Sequence, residues 1–216
     1  MGKSMTAEFI VVRHGETEEN LQGIIQGQRD TKLNDLGLRQ AHCVAERLKS
    51  VKLDSIFSSD LSRAMITAET IARYHHLPVV GLRALREWDL GDLQGRPLSE
   101  LRDNDSRLMS AFKCDIGDLQ IPGGESRSVF YQRVADCLDE LALRFPGKRI
   151  LLVSHGGTIR SMFHHIAGPV PASSRLPLTS NTGVSSFRYD NGCWQLTSWN
   201  DVSHLRSLGE NESVIF

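Results

Sequence analysis

The sequence has few of the features that mark metal-binding, secreted or nucleic-acid-binding proteins. It has four cysteines, Cys43, Cys114, Cys137 and Cys193, and no Cys-x-x-Cys pair, which argues against a zinc site and against a disulfide framework. The formal net charge of −1 leaves no general basic face for nucleic acid or a membrane surface. No apolar run approaches membrane-spanning length, and Met1–Glu8 lacks the apolar core of a signal peptide. These absences predict a cytoplasmic protein that has neither nucleic acid nor a membrane as a partner.

The remaining composition is typical of one globular domain. With 40% hydrophobic and 24% charged residues, the 216-residue chain can bury a full core as a single domain over residues 1–216. Short apolar runs alternate with segments whose apolar residues recur at helical spacing. This alternation predicts an α/β fold, a three-layer sandwich in which a mostly parallel sheet has helices on both faces. The turn signal Asn191–Gly192 separates two strand-like segments and predicts a terminal hairpin, and hence an antiparallel edge.

Two segments of the chain allow more specific predictions. Asp60 stands before a helical segment that contains Ala64 and Ile71, and it is predicted to cap that helix. Residues Leu90–Pro122 are predicted to form a small cap insertion within the domain. Part of this insertion, Leu98–Cys114, has a polar helical pattern.

Two apolar runs end in a histidine followed by glycine. Phe9–Val12 is followed by the sequence Arg-His-Gly-Glu-Thr, and Ile150–Val153 is followed by Ser-His-Gly-Gly. Both runs are continuous and rich in aliphatic residues, which is typical of buried parallel strands. Ligands of open parallel sheets bind at the carboxyl ends of the strands. We therefore expect His14 and His155 to lie side by side at that edge, with Arg13 next to them.

These side chains fit the transfer of a phosphoryl group. The ring of His14, when neutral, can attack phosphorus, because the resulting phosphoramidate is labile enough to be hydrolysed in a second step. The transferred group spreads negative charge over three oxygens, and stabilising that charge is most of the catalytic task. Arg13 offers a planar fork that matches phosphate, Arg63 stands at another strand end, and His155 could bind a further oxygen as an imidazolium.

A leaving alkoxide also needs a proton donor. Glu87 is the best candidate for a general acid, and Asp89 is its rival. Once deprotonated, the same carboxylate can activate the water that hydrolyses the phosphohistidine.

The motifs together resemble the histidine phosphatase superfamily, in the branch that contains cofactor-dependent phosphoglycerate mutases and related phosphatases. The resemblance runs in order from about Phe9 to about Trp199. The motifs that carry it are Arg13–Thr17, Ile25–Gln28, Ser58–Ala64, Glu87, Gly123–Ser126 and Ser154–Gly157.

The resemblance implies a phosphohistidine mechanism that needs no metal and no other cofactor, acting on a small phosphorylated metabolite. It implies His14 as the nucleophile, Glu87 as the proton donor, and a phosphate pocket formed by Arg13, Arg63 and His155. The further residues that it places in contact with phosphate or substrate, or at the border of the pocket, are Asn20, Gln26, Gly27, Gly156 and Asn181, the last of them near the pocket rim.

Within this family the sequence favours a phosphatase. The stretch Trp88–Ser154 is short, whereas mutases have a longer segment there that helps to enclose a bisphosphate, and a phosphatase must admit water to the phosphohistidine. Phosphoryl transfer of the phosphoglycerate mutase type is the alternative activity. A module that binds a phosphorylated ligand without turnover is the alternative from another functional class.

The rest of the substrate is left open by the sequence. Phosphosugars, phosphocarboxylates and phosphoserine are all candidates, although Leu90 stands where some phosphoserine-hydrolysing relatives have a histidine. Basic residues of the cap that could recognise a second anionic group, or equally form a solvated helix face, are Arg96, Arg102, Arg107 and Lys113. An exposed edge strand or hairpin would allow a homodimer, although nothing in the sequence specifies one.

Overall fold

A computed structural model shows strands and helices alternating along residues 6–100, 118–168 and 177–208, which are the residues that it describes. The strands are β1 (Ala7–Arg13), β2 (Ser55–Ser58), β3 (Val79–Gly81), β4 (Arg149–Ser154), β5 (Val184–Asp190) and β6 (Cys193–Asp201). The α-helices are α1 (Glu18–Gln22), α2 (Asp35–Leu48), α3 (Ser62–Ala72), α4 (Arg127–Arg144) and α5 (Gly156–Ala167). Short 3-10 helices cover Arg83–Leu85, Gly91–Leu93 and Ser203–Leu208.

The strands form one sheet in the order β3-β2-β4-β1-β5-β6. The first four strands in this order are parallel, whereas β5 and β6 are antiparallel to their neighbours. The two strands of the predicted hairpin form the antiparallel edge. The α/β prediction of a mostly parallel sheet with an antiparallel edge is therefore confirmed.

Helices cover both faces of this sheet. Successive residues of a strand point to opposite faces, and in β1 Phe9 and Val11 pack into one apolar cluster whereas Val12 packs into another. The first cluster contains residues of α4 and α5, such as Phe130 and Met162. The second contains residues of α2 and α3. These two clusters give the three-layer arrangement that was predicted.

Two helices begin at residues whose side chains cap them, whereas one predicted cap is not observed. The side chains of Asn34 and Ser126 accept the N–H group of the third residue of α2 and α4. The prediction that Asp60 caps α3 is wrong, because the residue before this helix is Leu61, which makes no side-chain cap. Asp60 instead accepts two hydrogen bonds from the guanidinium of Arg86, at 2.6 and 2.7 Å.

The described parts of the predicted cap insertion pack into the main core. Leu90, Leu93 and Ile121 are buried in the cluster that contains α4 and α5. Residues 101–117, and with them most of the predicted polar helix, lie outside the described residues. In the described ranges no helix is long and apolar enough to cross a membrane.

Candidate active site

His14 and His155 follow the two central strands of the sheet, and their rings meet. β1 and β4 are parallel neighbours in which Arg13 lies opposite Ser154, so the next residue of each strand falls at the same edge. The centroids of the two imidazole rings are 5.1 Å apart. The strand register therefore accounts for the pairing expected from the sequence.

His14 is held as a neutral imidazole. Its Nδ1 lies 2.7 Å from the carbonyl oxygen of Gly15. Because a carbonyl can only accept, Nδ1 carries the proton and Nε2 keeps its lone pair. Burial, together with the guanidiniums of Arg63 and Arg13, holds the pKa of His14 well below the usual 6.5. A neutral ring with an unprotonated Nε2 is the form in which histidine acts as a nucleophile.

Both ring nitrogens of His155 are engaged in hydrogen bonds. Nε2 lies 2.8 Å from Ser59 Oγ, and Nδ1 accepts from Arg63 Nε at 3.2 Å. Since Nε of arginine can only donate, Nδ1 is unprotonated and the ring is neutral. Burial, followed by the charge of Arg63, holds the pKa of His155 well below 6.5. The structure thus differs from the expected imidazolium, because adjacent guanidiniums disfavour another positive charge; a phosphate dianion would act in the opposite direction.

Arg63 is almost completely buried, with 1% of its surface exposed. Its terminal nitrogens donate to the carbonyl oxygens of Gly27 at 2.8 Å and Arg29 at 2.7 Å. These bonds tie the loop after α1 to the start of α3. Burial lowers the pKa of Arg63 to about 10, which still leaves the guanidinium charged at neutral pH. Asp60 does not pair with Arg63, since it binds Arg86.

Arg13 has a buried nitrogen that is suited to an anion. One terminal nitrogen donates to the carbonyl oxygen of Thr179 at 2.6 Å. Nε is buried and has no hydrogen-bond partner in the described part of the chain. A Cβ atom at Gly156 would lie 3.5 Å from this Nε, so the glycine keeps the approach to it open. A phosphate oxygen would satisfy the unpaired donor.

Glu87 lies against the first turn of α5. Its carboxylate oxygens accept hydrogen bonds from the backbone N–H groups of Gly157 at 2.9 Å, Thr158 at 3.1 Å and Trp88 at 2.9 Å. The first two donors belong to the helix terminus, where N–H groups lack partners within the helix. The rival residue, Asp89, binds the N–H of Gly91 and does not line the central cavity.

A cavity of about 220 Å³ opens in front of these groups. The predicted site residues that line it are Arg13, His14, Asn20, Gln26, Gly27, Arg63, Glu87 and Gly156. His155 does not line it and lies behind His14, completely buried. Within the described ranges, no three His, Cys, Asp or Glu side chains cluster as metal ligands would.

Asn181 lies beneath His14 and does not line the cavity, although the resemblance places it near the pocket rim. Only 2% of its surface is exposed. Its Nδ2 donates to the carbonyl oxygen of His14 at 3.0 Å and to Asn20 Oδ1 at 3.3 Å. The N–H of the next residue, Thr182, donates to the carbonyl of Arg13 at 3.0 Å. The loop before β5 therefore holds the backbone of Arg13 and His14.

Asn20 and Gln26 have both structural contacts and a place on the cavity wall. Asn20 forms a capping box with Thr17 at the start of α1. Oε1 of Gln26 accepts from Thr31 Oγ1 at 2.6 Å. These bonds fix the carbonyl ends of the two amide side chains.

Several residues line the cavity without having been predicted as site residues, namely Glu19, Arg127, Tyr131 and Arg160. Arg160 follows Gly156 by one helical turn in α5, so helical spacing from the second His-Gly motif is the signal that could have indicated it. The other three depend on tertiary packing that no local pattern indicates.

The basic residues expected in the cap are not the ones that reach the cavity. Arg96 forms an ion pair with Glu100 at 2.7 Å and does not line the cavity. Arg102, Arg107 and Lys113 lie outside the described residues.

Comparison with known proteins places this site in a family. Residues 9–202 match the model of the histidine phosphatase superfamily (branch 1). The chain is 42% identical over 207 residues to phosphoglycerate mutase-like protein 4 of Arabidopsis thaliana, covering 94% of this chain and 89% of the relative. It is 39% identical over 210 residues to a metal-independent phosphoserine phosphatase of the same plant, covering 96% and 87%.

A solved structure agrees with these sequence relatives. The crystal structure of a phosphoserine phosphatase variant from Entamoeba histolytica, in complex with phosphoserine, superposes with a TM-score of 0.83 at 32% identity. The match covers 92% of this chain and 99% of that one. The chain therefore belongs to branch 1 of the histidine phosphatase superfamily, and it is a phosphatase of that family.

Proposed function

We propose that this protein hydrolyses small phosphate monoesters through a phosphohistidine formed on His14. The observation that carries the proposal is the state of the His14 ring. Nδ1 is held by the Gly15 carbonyl, the ring is neutral, and the residue lines a cavity together with Arg13 and Arg63. This combination supports a nucleophile directed at a doubly anionic group.

In the first step, the lone pair of His14 Nε2 forms a bond to phosphorus. The bond between phosphorus and the ester oxygen breaks, its electron pair stays on that oxygen, and Glu87 supplies the proton that makes the leaving group an alcohol. Arg13 and Arg63 stabilise the equatorial oxygens as charge develops on them.

In the second step, water attacks the phosphohistidine while Glu87 accepts a proton from it. The bond between phosphorus and Nε2 breaks, its electron pair returns to the ring, and inorganic phosphate leaves. The residues supply the nucleophile, the proton transfers and the positive charge, so the mechanism calls for no metal and no other cofactor.

The names of the relatives favour a small phosphorylated metabolite as substrate. Two of them are phosphoserine phosphatases, from Arabidopsis thaliana and Entamoeba histolytica. The third is named as phosphoglycerate mutase-like, which favours mutase-type transfer as the second candidate activity. A mutase would return the phosphoryl group to a substrate and release little inorganic phosphate.

We also propose a location, a domain organisation and an oligomeric state for this protein. A cytoplasmic location is supported by the free thiols of Cys43, Cys137 and Cys193 in the described chain. We further propose a single domain over residues 1–216 with residues 90–122 as its cap, and a homodimer formed through the edge strand β6. Light scattering coupled to size-exclusion chromatography tests the dimer directly.

The experiment that tests the function measures phosphate release from a panel of monoesters in the presence of EDTA, with His14→Ala as the control. Turnover that survives chelation and is lost in His14→Ala is the expected result. Release abolished by EDTA would contradict the metal-independent mechanism. Activity that depends on added bisphosphate and exceeds phosphate release would establish the mutase instead.

A further inference from the structure

Arg160 carries a positive charge into the cavity that the proposed mechanism does not use. It lies on α5, one turn after Gly156, and its Nε donates to the Gly156 carbonyl oxygen at 3.3 Å. The two terminal nitrogens of its guanidinium make no hydrogen bond to any described residue. The side chain lines the cavity next to Glu87 and Tyr131. These terminal nitrogens are not buried, so an anion bound in the cavity can pair with them.

The carboxylates around Arg160 balance its charge only in part. Burial lowers the pKa of Arg160, and the neighbouring Glu87 carboxylate opposes that effect. The same carboxylate also acts on the charges of Arg13 and Arg63, so three guanidiniums share it. Glu19, the other carboxylate on the cavity wall, acts on the charge of Arg63. Positive charge is therefore in excess at this end of the cavity, which favours a further anion.

Arg160 lies near both Arg13 and Glu87, since its charge interacts with each of them. The proposed role of Glu87 is to protonate the leaving oxygen, so groups around Glu87 border the leaving alcohol. Beyond it the wall is apolar, with Trp88, Leu90 and Phe130. This wall suits a short carbon chain. Arg160 is then within reach of a substituent on that chain, while Arg13 and Arg63 bind the phosphoryl oxygens.

We propose that Arg160 is a specificity-determining residue, which binds a second anionic group, a carboxylate or a phosphate, on the leaving alcohol of the substrate. The proposal rests on the proposed function, because it takes Glu87 as the group that faces the leaving oxygen. The planar guanidinium can bind either anion through two parallel hydrogen bonds.

The test compares substrates that differ only in the second anion. O-phosphoserine carries a carboxylate that O-phosphoethanolamine lacks. Fructose 1,6-bisphosphate carries a second phosphate that fructose 6-phosphate lacks. In the wild type, kcat/KM for the doubly anionic member of at least one pair should exceed that of its partner by about tenfold or more. In Arg160→Met this preference should fall by about tenfold or more, and Arg160→Lys should restore part of it.

Arg96→Met is the matched control, because it removes an arginine that is paired outside the cavity, and it should keep the wild-type preference. The pair that responds identifies the second anion. A wild type that prefers neither doubly anionic substrate overturns the inference, and so does an Arg160→Met variant that slows both members of each pair equally. The wild-type preference is measured without any variant, so a folding defect cannot hide its absence. Failure of the proposed function is distinct, since no monoester would then be hydrolysed.

Discussion

At the scale of single residues, the glycine after the second His-Gly motif decides where the proposed acid lies. A Cβ atom at Gly157 would overlap Glu87 Oε1. The glycine thus allows the carboxylate to approach the N–H groups of the first turn of α5. The absence of a side chain at Gly157 thus fixes where the Glu87 carboxylate lies.

Gly157→Ala should therefore impair proton donation more than phosphate binding. We expect kcat for an alkyl phosphate to fall by at least about tenfold, because general acid catalysis contributes roughly a hundredfold or more. Hydrolysis of p-nitrophenyl phosphate should fall much less, since nitrophenolate leaves without full protonation. Steady-state kinetics on the two substrates measures the difference, and an equal loss on both would show that Glu87 is not displaced from the leaving oxygen.

At the scale of elements, α4 holds the segment that carries Glu87, the proposed acid. Arg133 donates to the carbonyl oxygens of Ala84 at 2.8 Å, Arg86 at 3.1 Å and Glu87 at 3.2 Å. It also binds both carboxylate oxygens of Glu125, at 2.8 and 2.7 Å. The loop after β3 therefore takes its shape from a helix that begins only at Arg127.

Arg133→Met should lower both stability and catalysis. The substitution removes the five hydrogen bonds that Arg133 donates to three carbonyl oxygens and to the partly buried carboxylate of Glu125, and we expect a loss on the order of 2 kcal/mol in the free energy of unfolding. Urea denaturation measures this loss, and kcat should fall as the Glu87 segment loosens. Arg144→Met, at the exposed end of the same helix, is the matched control; if both variants behave alike, Arg133 does not fix this segment.

At the scale of the whole molecule, the active-site histidines link stability to pH. His14 and His155 are buried and neutral, with pKa values held well below the usual 6.5. Away from the cavity, burial and the charge of Arg47 lower the pKa of His204 to about 4. The unfolded chain binds protons at these residues near pH 6.5, while the folded protein excludes them. Acid therefore favours the unfolded state.

The free energy of unfolding should decrease as pH falls from about 7 to 5. Each of the two buried histidines corresponds to a slope of at most about 1.4 kcal/mol per pH unit in this range. Carboxylates contribute little to this slope above pH 5, because their pKa values in the unfolded chain lie near 4. Urea denaturation across the range measures the slope, and His204→Gln should reduce it. A flat profile would mean that these histidines protonate equally well in the folded protein.

The sequence predicted the parts of this molecule that depend on local pattern. Apolar runs ending in His-Gly predicted two neighbouring strands, and the parallel register then brings His14 to His155. Contacts between distant segments were not predicted. The amide of Asn181 lies under His14 because β5 pairs with β1, and the carboxylate of Asp60 binds two donors of Arg86 rather than capping α3. These contacts depend on which distant segments come together in the fold, and the local sequence pattern does not contain that information.

The contact between Asn181 and the His14 carbonyl spans 167 residues of sequence. During synthesis, His14 leaves the ribosome before β4 and β5 exist, and β1 gains these two neighbours only after both have been made. A nascent chain therefore carries His14 without the backbone that orients it until the loop before β5 has also left the ribosome. We expect a fragment that ends before β5 to release no phosphate from a monoester that the whole chain hydrolyses.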